Sequence, residues 1–121
     1  MEKTKTLVLG ASENPGRYSY LAIKRLLAHQ KEVVAIGKKK GRVDGVEIIT
    51  DTPQMEDIHT VTLYLNPTNQ KPYYDYILSL KPKRIIFNPG TENEELERKL
   101  AQIGTNTLEA CTLVMLSTGS Y

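Results

Sequence analysis

Short apolar runs that end at a glycine or an Asn-Pro pair alternate with stretches whose apolar positions recur at helical spacing. Thr6-Leu7-Val8-Leu9, closed by Gly10, and Glu32-Val33-Val34-Ala35-Ile36, closed by Gly37, read as strands buried within a sheet. Val61-Thr62-Leu63-Tyr64-Leu65, stopped by Asn66-Pro67, and Arg84-Ile85-Ile86-Phe87 repeat the pattern. Over 18–29, Ala22, Ile23, Leu26 and Leu27 fall on one helical face, with Lys24 and Arg25 turned away. A second helix is predicted from Lys71-Pro72, where the missing proline N–H costs nothing. Its stripe is Tyr73, Tyr76, Ile77 and Leu80, and Pro82 closes the unit.

Thr91-Glu92-Asn93-Glu94 matches a capping box, so a third helix starts there. Leu96, Leu100 and Ile103 would face the core, and Gly104 stands where a C-terminal glycine belongs. Asn106-Thr107-Leu108 then leads a fifth strand into Cys111. The pattern β-α-β-x-β-α-β-α-β predicts a doubly wound α/β fold, a five-stranded parallel sheet with helices on both faces. Only 37–59 resists assignment. It holds a lysine run, a turn signal at Asp44-Gly45, a short apolar stretch from Val46 to Ile49, and Thr52-Pro53, which could open a short helix.

Composition narrows the function classes. The chain has 121 residues, room for one domain over 1–121, and is 40% hydrophobic and 25% charged, as a globular protein is. A net charge of +2 argues against wholesale nucleic-acid or membrane binding. No apolar stretch nears the ~18 residues a membrane span needs. The opening Met1-Glu2-Lys3-Thr4-Lys5 carries no signal-peptide apolar region, so the expected location is cytoplasmic. The lone Cys111 has no disulfide partner and no neighbouring ligands at metal spacing.

In open parallel sheets, ligands bind beyond the carboxyl ends of the strands. The residues there are 10–17, 37–41, 66–68 and 88–91, rich in small and hydrogen-bonding residues and nearly free of acids. Gly10 permits a tight turn, and the following helix offers free N–H groups and partial positive charge to an anion. Ser12 can donate a hydroxyl, and Arg17 a bidentate charged fork. The dinucleotide fingerprint is incomplete, because Ser12 and Pro15 stand where it has glycines. After the second strand, NAD-binding folds place an acid on the ribose hydroxyls. Here Gly37 is followed by Lys38, Lys39 and Lys40, which favours a ligand with an extra phosphate on its ribose. Coenzyme A and NADP both qualify.

The stretch Thr6 to Pro15 with Arg17-Tyr18-Ser19, the lysine loop ending in Gly45, Phe87-Asn88-Pro89-Gly90 and Glu109-Ala110-Cys111 resemble the small stand-alone CoA-binding domain proteins. Those are Rossmann-like and similar to the CoA-binding domain of the succinyl-CoA synthetase alpha subunit. The resemblance implies that Gly10, Ala11, Ser12 and Arg17 hold the pyrophosphate, with Asn14, Pro15 and Tyr18 in the same matched stretch. It implies that Gly37, Lys38, Lys39 and Lys40 lie along the adenosine and its phosphate. Asn66-Pro67 and Asn88-Pro89-Gly90 would line the rest of the cleft. The family often has Asn-Pro after strand two, where this chain has Gly37-Lys38. The synthetase's phosphorylated histidine lies in a further domain, so its ligase activity is not carried over.

No residue reads as a catalyst. His29 and His59 stand at element boundaries, Ser12 has no base nearby in the chain, and Cys111 reads as a buried thiol. The expectation is a CoA or acyl-CoA binding module without catalysis. Two alternatives stay open: an NADP-dependent oxidoreductase, and an interaction subunit with a lapsed nucleotide site. In the last, Leu113-Val114-Met115-Leu116 would meet a homodimer mate or another protein.

Overall fold

The computed structural model describes residues 5–121; Met1 to Thr4, and with them most of the stretch read for a signal peptide, lie outside the described residues. The elements run β1 (Lys5–Leu9), α1 (Tyr18–Ala28), β2 (Glu32–Ile36), β3 (Gly41–Val43), β4 (Val46–Ile49) and β5 (Ile58–Leu63). There follow α2 (Pro67–Gln70), a 3₁₀ turn (Lys71–Tyr73), α3 (Tyr74–Leu80), β6 (Arg84–Phe87), α4 (Glu94–Gln102), β7 (Asn106–Glu109) and α5 (Thr112–Thr118).

The five expected strands are present and mutually parallel, but the sheet is larger and mixed. Its order is β3-β4-β2-β1-β5-β6-β7, seven strands, with β3 antiparallel to β4 and β4 parallel to β2. The two added strands come from the unassigned segment. Asp44 and Gly45 both take positive φ, 48° and 86°, which closes a two-residue hairpin whose twist suits the flanking strands. Thr52-Pro53 opens no helix; residues 52–55 are irregular.

Other differences have local causes. Asn66, not Lys71-Pro72, starts the second helical unit, because its carboxamide accepts from Asn69 N at 2.9 Å and Pro67 fills the first helical position. The cap of α4 is Asn93, whose side chain accepts from Leu96 N, whereas the Thr91 hydroxyl donates to Asn88 O. Ile103, expected to face the core, is 46% exposed because α4 ends before it. The last apolar stretch is a helix: Met115 and Leu116 of α5 are buried, and Val114 points outward.

The two faces of the sheet differ in chemistry. Toward α3 and α4 lie Leu7, Leu9, Val61, Leu63, Ile85 and Phe87 against Ile77, Leu96 and Leu100, an all-apolar cluster. Toward α1 and α5, Val8 and Ala35 meet Ile23, Leu26 and Leu116. There the sheet also presents Thr6, Thr60 and Thr62, all fully buried. Each threonine is satisfied: Thr6 by the Tyr121 hydroxyl, Thr60 by Arg84 Nε at 2.8 Å, and Thr62 by Thr112 at 2.7 Å. Buried hydroxyls need such partners, so this face is fastened by side chains as well as packed.

Candidate functional site

A cavity of about 850 Å³ opens at the carboxyl ends of the strands, within the ~300–1,000 Å³ usual for small-molecule sites. It lies where the chain order reverses, between β1, which leads to β2 on one side, and β5, which leads to β6 on the other. That is the crevice where open α/β sheets take ligands.

The loop after β1 forms one wall with Gly10, Ala11, Ser12, Asn14, Arg17 and Tyr18. Gly10 has φ +95°, and its Cα stands so close to Leu65 and the Tyr64 backbone that a Cβ would lie 3.0 Å away. The loop is folded on itself. Ser12 Oγ accepts from Asn14 N at 3.0 Å, and Asn14 Oδ1 accepts from Gly16 N at 2.9 Å. Because Ser12 Oγ is an acceptor in that turn, its own O–H remains available to donate. Arg17 precedes α1 without capping it, and no acid occupies the first turn. The amides of Tyr18 and Ser19 therefore have no acceptor within the helix.

Lys38, Lys39 and Lys40 form the second wall. Gly37 introduces them but does not line the cavity; it lets two loops touch. A Cβ there would lie 2.3 Å from Ala11 O and 3.0 Å from Ile48 Cγ2. Ile36 O accepts from both Gly10 N and Ala11 N at 2.9 Å, and Gly37 N donates to Ile49 O at 3.0 Å. The loop after β1 and the lysine loop are thus tied at their roots.

The third wall, from Asn66, Pro89 and Gly90, is uncharged. Of the residues expected to bind, Pro15, Gly37, Pro67 and Asn88 are not on the cavity surface. Pro67 is the first residue of α2. Asn88 is 3% exposed and holds the walls together: its Nδ2 donates to Thr62 Oγ1 and Leu63 O, and its Oδ1 accepts from Thr112 N, each at 2.8 Å. Gln70, also buried, joins the same walls by donating to Leu65 O and Thr91 O.

Glu13 and Thr91, inside the loops the sequence marks but not singled out as contacts, and Tyr64, Leu65 and Asn69, outside those loops, also line the cavity. Tyr64 lies at its inner side with its hydroxyl buried, lacking a well-formed hydrogen bond. Burial pushes the phenol up to about 12, partly offset by the Thr62 and Thr112 hydroxyls beside it. Tyr18, by contrast, is 72% exposed at the rim. Tyr73, Tyr74 and Tyr76 pack on the other face of the sheet.

Among the described residues, four cations and one acid, Glu13, line the cavity. Among the described residues, ion pairs join Lys5 to Glu32, Lys24 to Asp44 and Arg42 to Glu47, and none engages Arg17 or lysines 38–40. No histidine or cysteine lines it. His29 Nδ1 lies 2.8 Å from Arg25 O at the end of α1, His59 Nδ1 lies 2.8 Å from Thr60, and Cys111 precedes α5. Among the described residues no three His, Cys, Asp or Glu side chains are grouped to hold a metal ion. Nor is any helix among them long and apolar enough to cross a membrane.

The sequence profile of the CoA binding domain family matches residues 4–117. The chain belongs to that family. An uncharacterized protein of known crystal structure is 55% identical over the full length of both chains, with a TM-score of 0.96. A conserved hypothetical protein from Pyrococcus furiosus is 24% identical, covering 92% of this chain and 97% of its own, with a TM-score of 0.80. A hypothetical protein from Pyrococcus horikoshii OT3 is also 24% identical, covering 96% of this chain and 82% of its own at 0.83, and at such identity the likeness speaks for fold alone. No curated protein matches. Membership of the CoA binding domain family agrees with the Rossmann-like layering and with the resemblance noted in the sequence.

Proposed function

We propose that the chain acts as one domain that binds coenzyme A or an acyl-CoA across this crevice and performs no chemistry on it. The carrying observation is the juxtaposition of a helix-N-terminal loop with three lysines that have no ion-pair partner among the described residues. In this reading the amides of Tyr18 and Ser19, the Ser12 hydroxyl and Arg17 take the diphosphate. Lysines 38–40 take the 3′-phosphate, and the neutral wall at Asn66, Asn69 and Gly90 accommodates the uncharged arm. Ser12 Oγ is bound by Asn14 N and the lining carboxylate, Glu13, is bound by Arg42 N, so among the described residues no base is paired with the Ser12 hydroxyl, which fits a carrier or sensor better than an enzyme.

Thermal shift with CoA, dephospho-CoA, NADP and NAD tests this. At about 100 times its dissociation constant CoA adds about 2.7 kcal/mol of apparent stability. CoA should shift the protein most and dephospho-CoA less. A shift with NADP and none with CoA overturns the reading in favour of hydride chemistry; no shift with any of the four indicates a lapsed site. Replacing lysines 38–40 together with alanine should weaken CoA binding, and unchanged affinity would make them a solvated face only.

A further inference from the structure

Among the described residues Glu13 is the one acid in a cavity that otherwise collects cations, and it sits in the loop assigned to phosphate. An unrestrained carboxylate there would repel the ligand. Its Oε2 instead accepts from Arg42 N at 3.1 Å. Arg42 belongs to β3, which is three places away from β1 in the sheet, with β2 and β4 between them. β3 is an edge strand, so Glu13 satisfies a backbone donor from across the top of the sheet. The neighbouring Gly41 makes the approach possible: a Cβ there would lie 2.7 Å from Glu13 Oε2.

Lysines 38–40 are therefore held at both ends by the loop after β1. Gly37 is pressed against Ala11 O at one end, and Arg42 N is bound to Glu13 at the other. We propose that Glu13 is a positioning residue that latches the lysine loop over the cavity and thereby sets selectivity for a ligand with a phosphate on its ribose. The proposal rests on the CoA reading for the identity of that ligand, but the latch itself is a property of the free protein. Gln keeps an acceptor oxygen for Arg42 N and removes the charge; Ala removes both.

Amide exchange in the ligand-free protein and titration with CoA and dephospho-CoA provide the test on E13A and E13Q. The Arg42 amide should exchange faster in E13A and near the wild-type rate in E13Q; unchanged exchange in E13A overturns the latch whatever the protein binds. The ratio of CoA to dephospho-CoA affinity should fall by about fivefold in E13A, as expected for loss of one ordinary hydrogen bond, and recover in E13Q. An equal loss for both ligands, or no recovery in E13Q, overturns the proposal. A wild-type ratio near one refutes the CoA reading itself and removes the selectivity for which the latch was proposed. That result is distinct from a normal wild-type ratio that E13A fails to change.

Discussion

Adding one methyl group at Gly37 should separate the two loops that build the cavity. Gly37 does not have positive φ, so Gly37→Ala meets no backbone strain and its effect is purely steric. The new Cβ would stand 2.3 Å from Ala11 O, well inside contact, and Ile48 Cγ2 at 3.0 Å blocks retreat. The loops must part by about 1 Å, a misfit of the kind that costs roughly 1–3 kcal/mol in packed interiors. Parting them also stretches the Gly37 N to Ile49 O bond and the pair from Gly10 N and Ala11 N to Ile36 O. Weakened but not broken, the three bonds together give up about 1 kcal/mol, so the sum is about 2–4 kcal/mol.

Such a loss leaves a typical domain folded, since folded domains hold roughly 5–15 kcal/mol. Thermal denaturation should show a fall of roughly 10 °C, and CoA titration a weaker complex because the lysines retreat from the loop after β1. Gly45→Ala separates sterics from conformation: nothing lies within 4 Å of a Cβ there, but φ is +86°, so only the left-handed penalty of roughly 1 kcal/mol applies. A melting temperature for Gly37→Ala within about 2 °C of wild type would refute the close-approach argument.

Tyr64→Phe removes a buried hydroxyl that lacks a well-formed hydrogen bond, so urea denaturation at neutral pH should show stability unchanged within about 0.5 kcal/mol or higher. The folded-state pKa of about 12 lies above the unfolded value of about 10, so Tyr64 favours the folded state least once the unfolded phenol ionises. Wild type should lose about 1.4 kcal/mol relative to Tyr64→Phe between about pH 8 and pH 11, and a pH-independent difference would contradict the shift. Asn88→Ala strands Leu63 O and Thr112 N without their partner, and should cost about 3 kcal/mol or more by the same denaturation assay, although Asn88 does not line the cavity.

Glycine and proline punctuation made most of the sheet readable, because parallel strands buried on two faces carry unbroken apolar runs. The hairpin was half legible. Asp44-Gly45 announced its turn, but β3 is three residues long, Gly41–Val43, and no period can show in so short a strand. The last helix hid for a related reason. Cys111 offers no capping side chain, and a seven-residue apolar helix looks like a strand by composition.

At the site, the sequence located the loops but not the direction of each side chain. Asn88 and Ser12 are both polar residues after strands; one turns sideways to fasten β5 and α5, the other lines the cavity. Glu13 carried no signal because its partner is a backbone amide 29 residues on. Tyr64 and Asn69 reach the cavity through the path of the chain after β5, which begins its helix at Pro67 instead of several residues later.

The anchoring of the lysine loop also limits how selective it can be. Gly37 and Arg42 fix the backbone on either side of the three lysines, but neither contact touches an ammonium group. Each lysine that closes on a phosphate loses up to about 1.5–2 kcal/mol of rotamer freedom. A charge-assisted hydrogen bond to a phosphate returns about 1.5–3 kcal/mol. The net gain per lysine is therefore about 1 kcal/mol, and one phosphate has too few oxygens facing the loop for all three to bond at full strength. Discrimination between CoA and dephospho-CoA should accordingly be about tenfold to a hundredfold, not thousands, and should shrink as salt screens the exposed charges. Discrimination above about a thousandfold would mean that the ammonium groups are ordered before the ligand arrives, by contacts beyond the two backbone anchors.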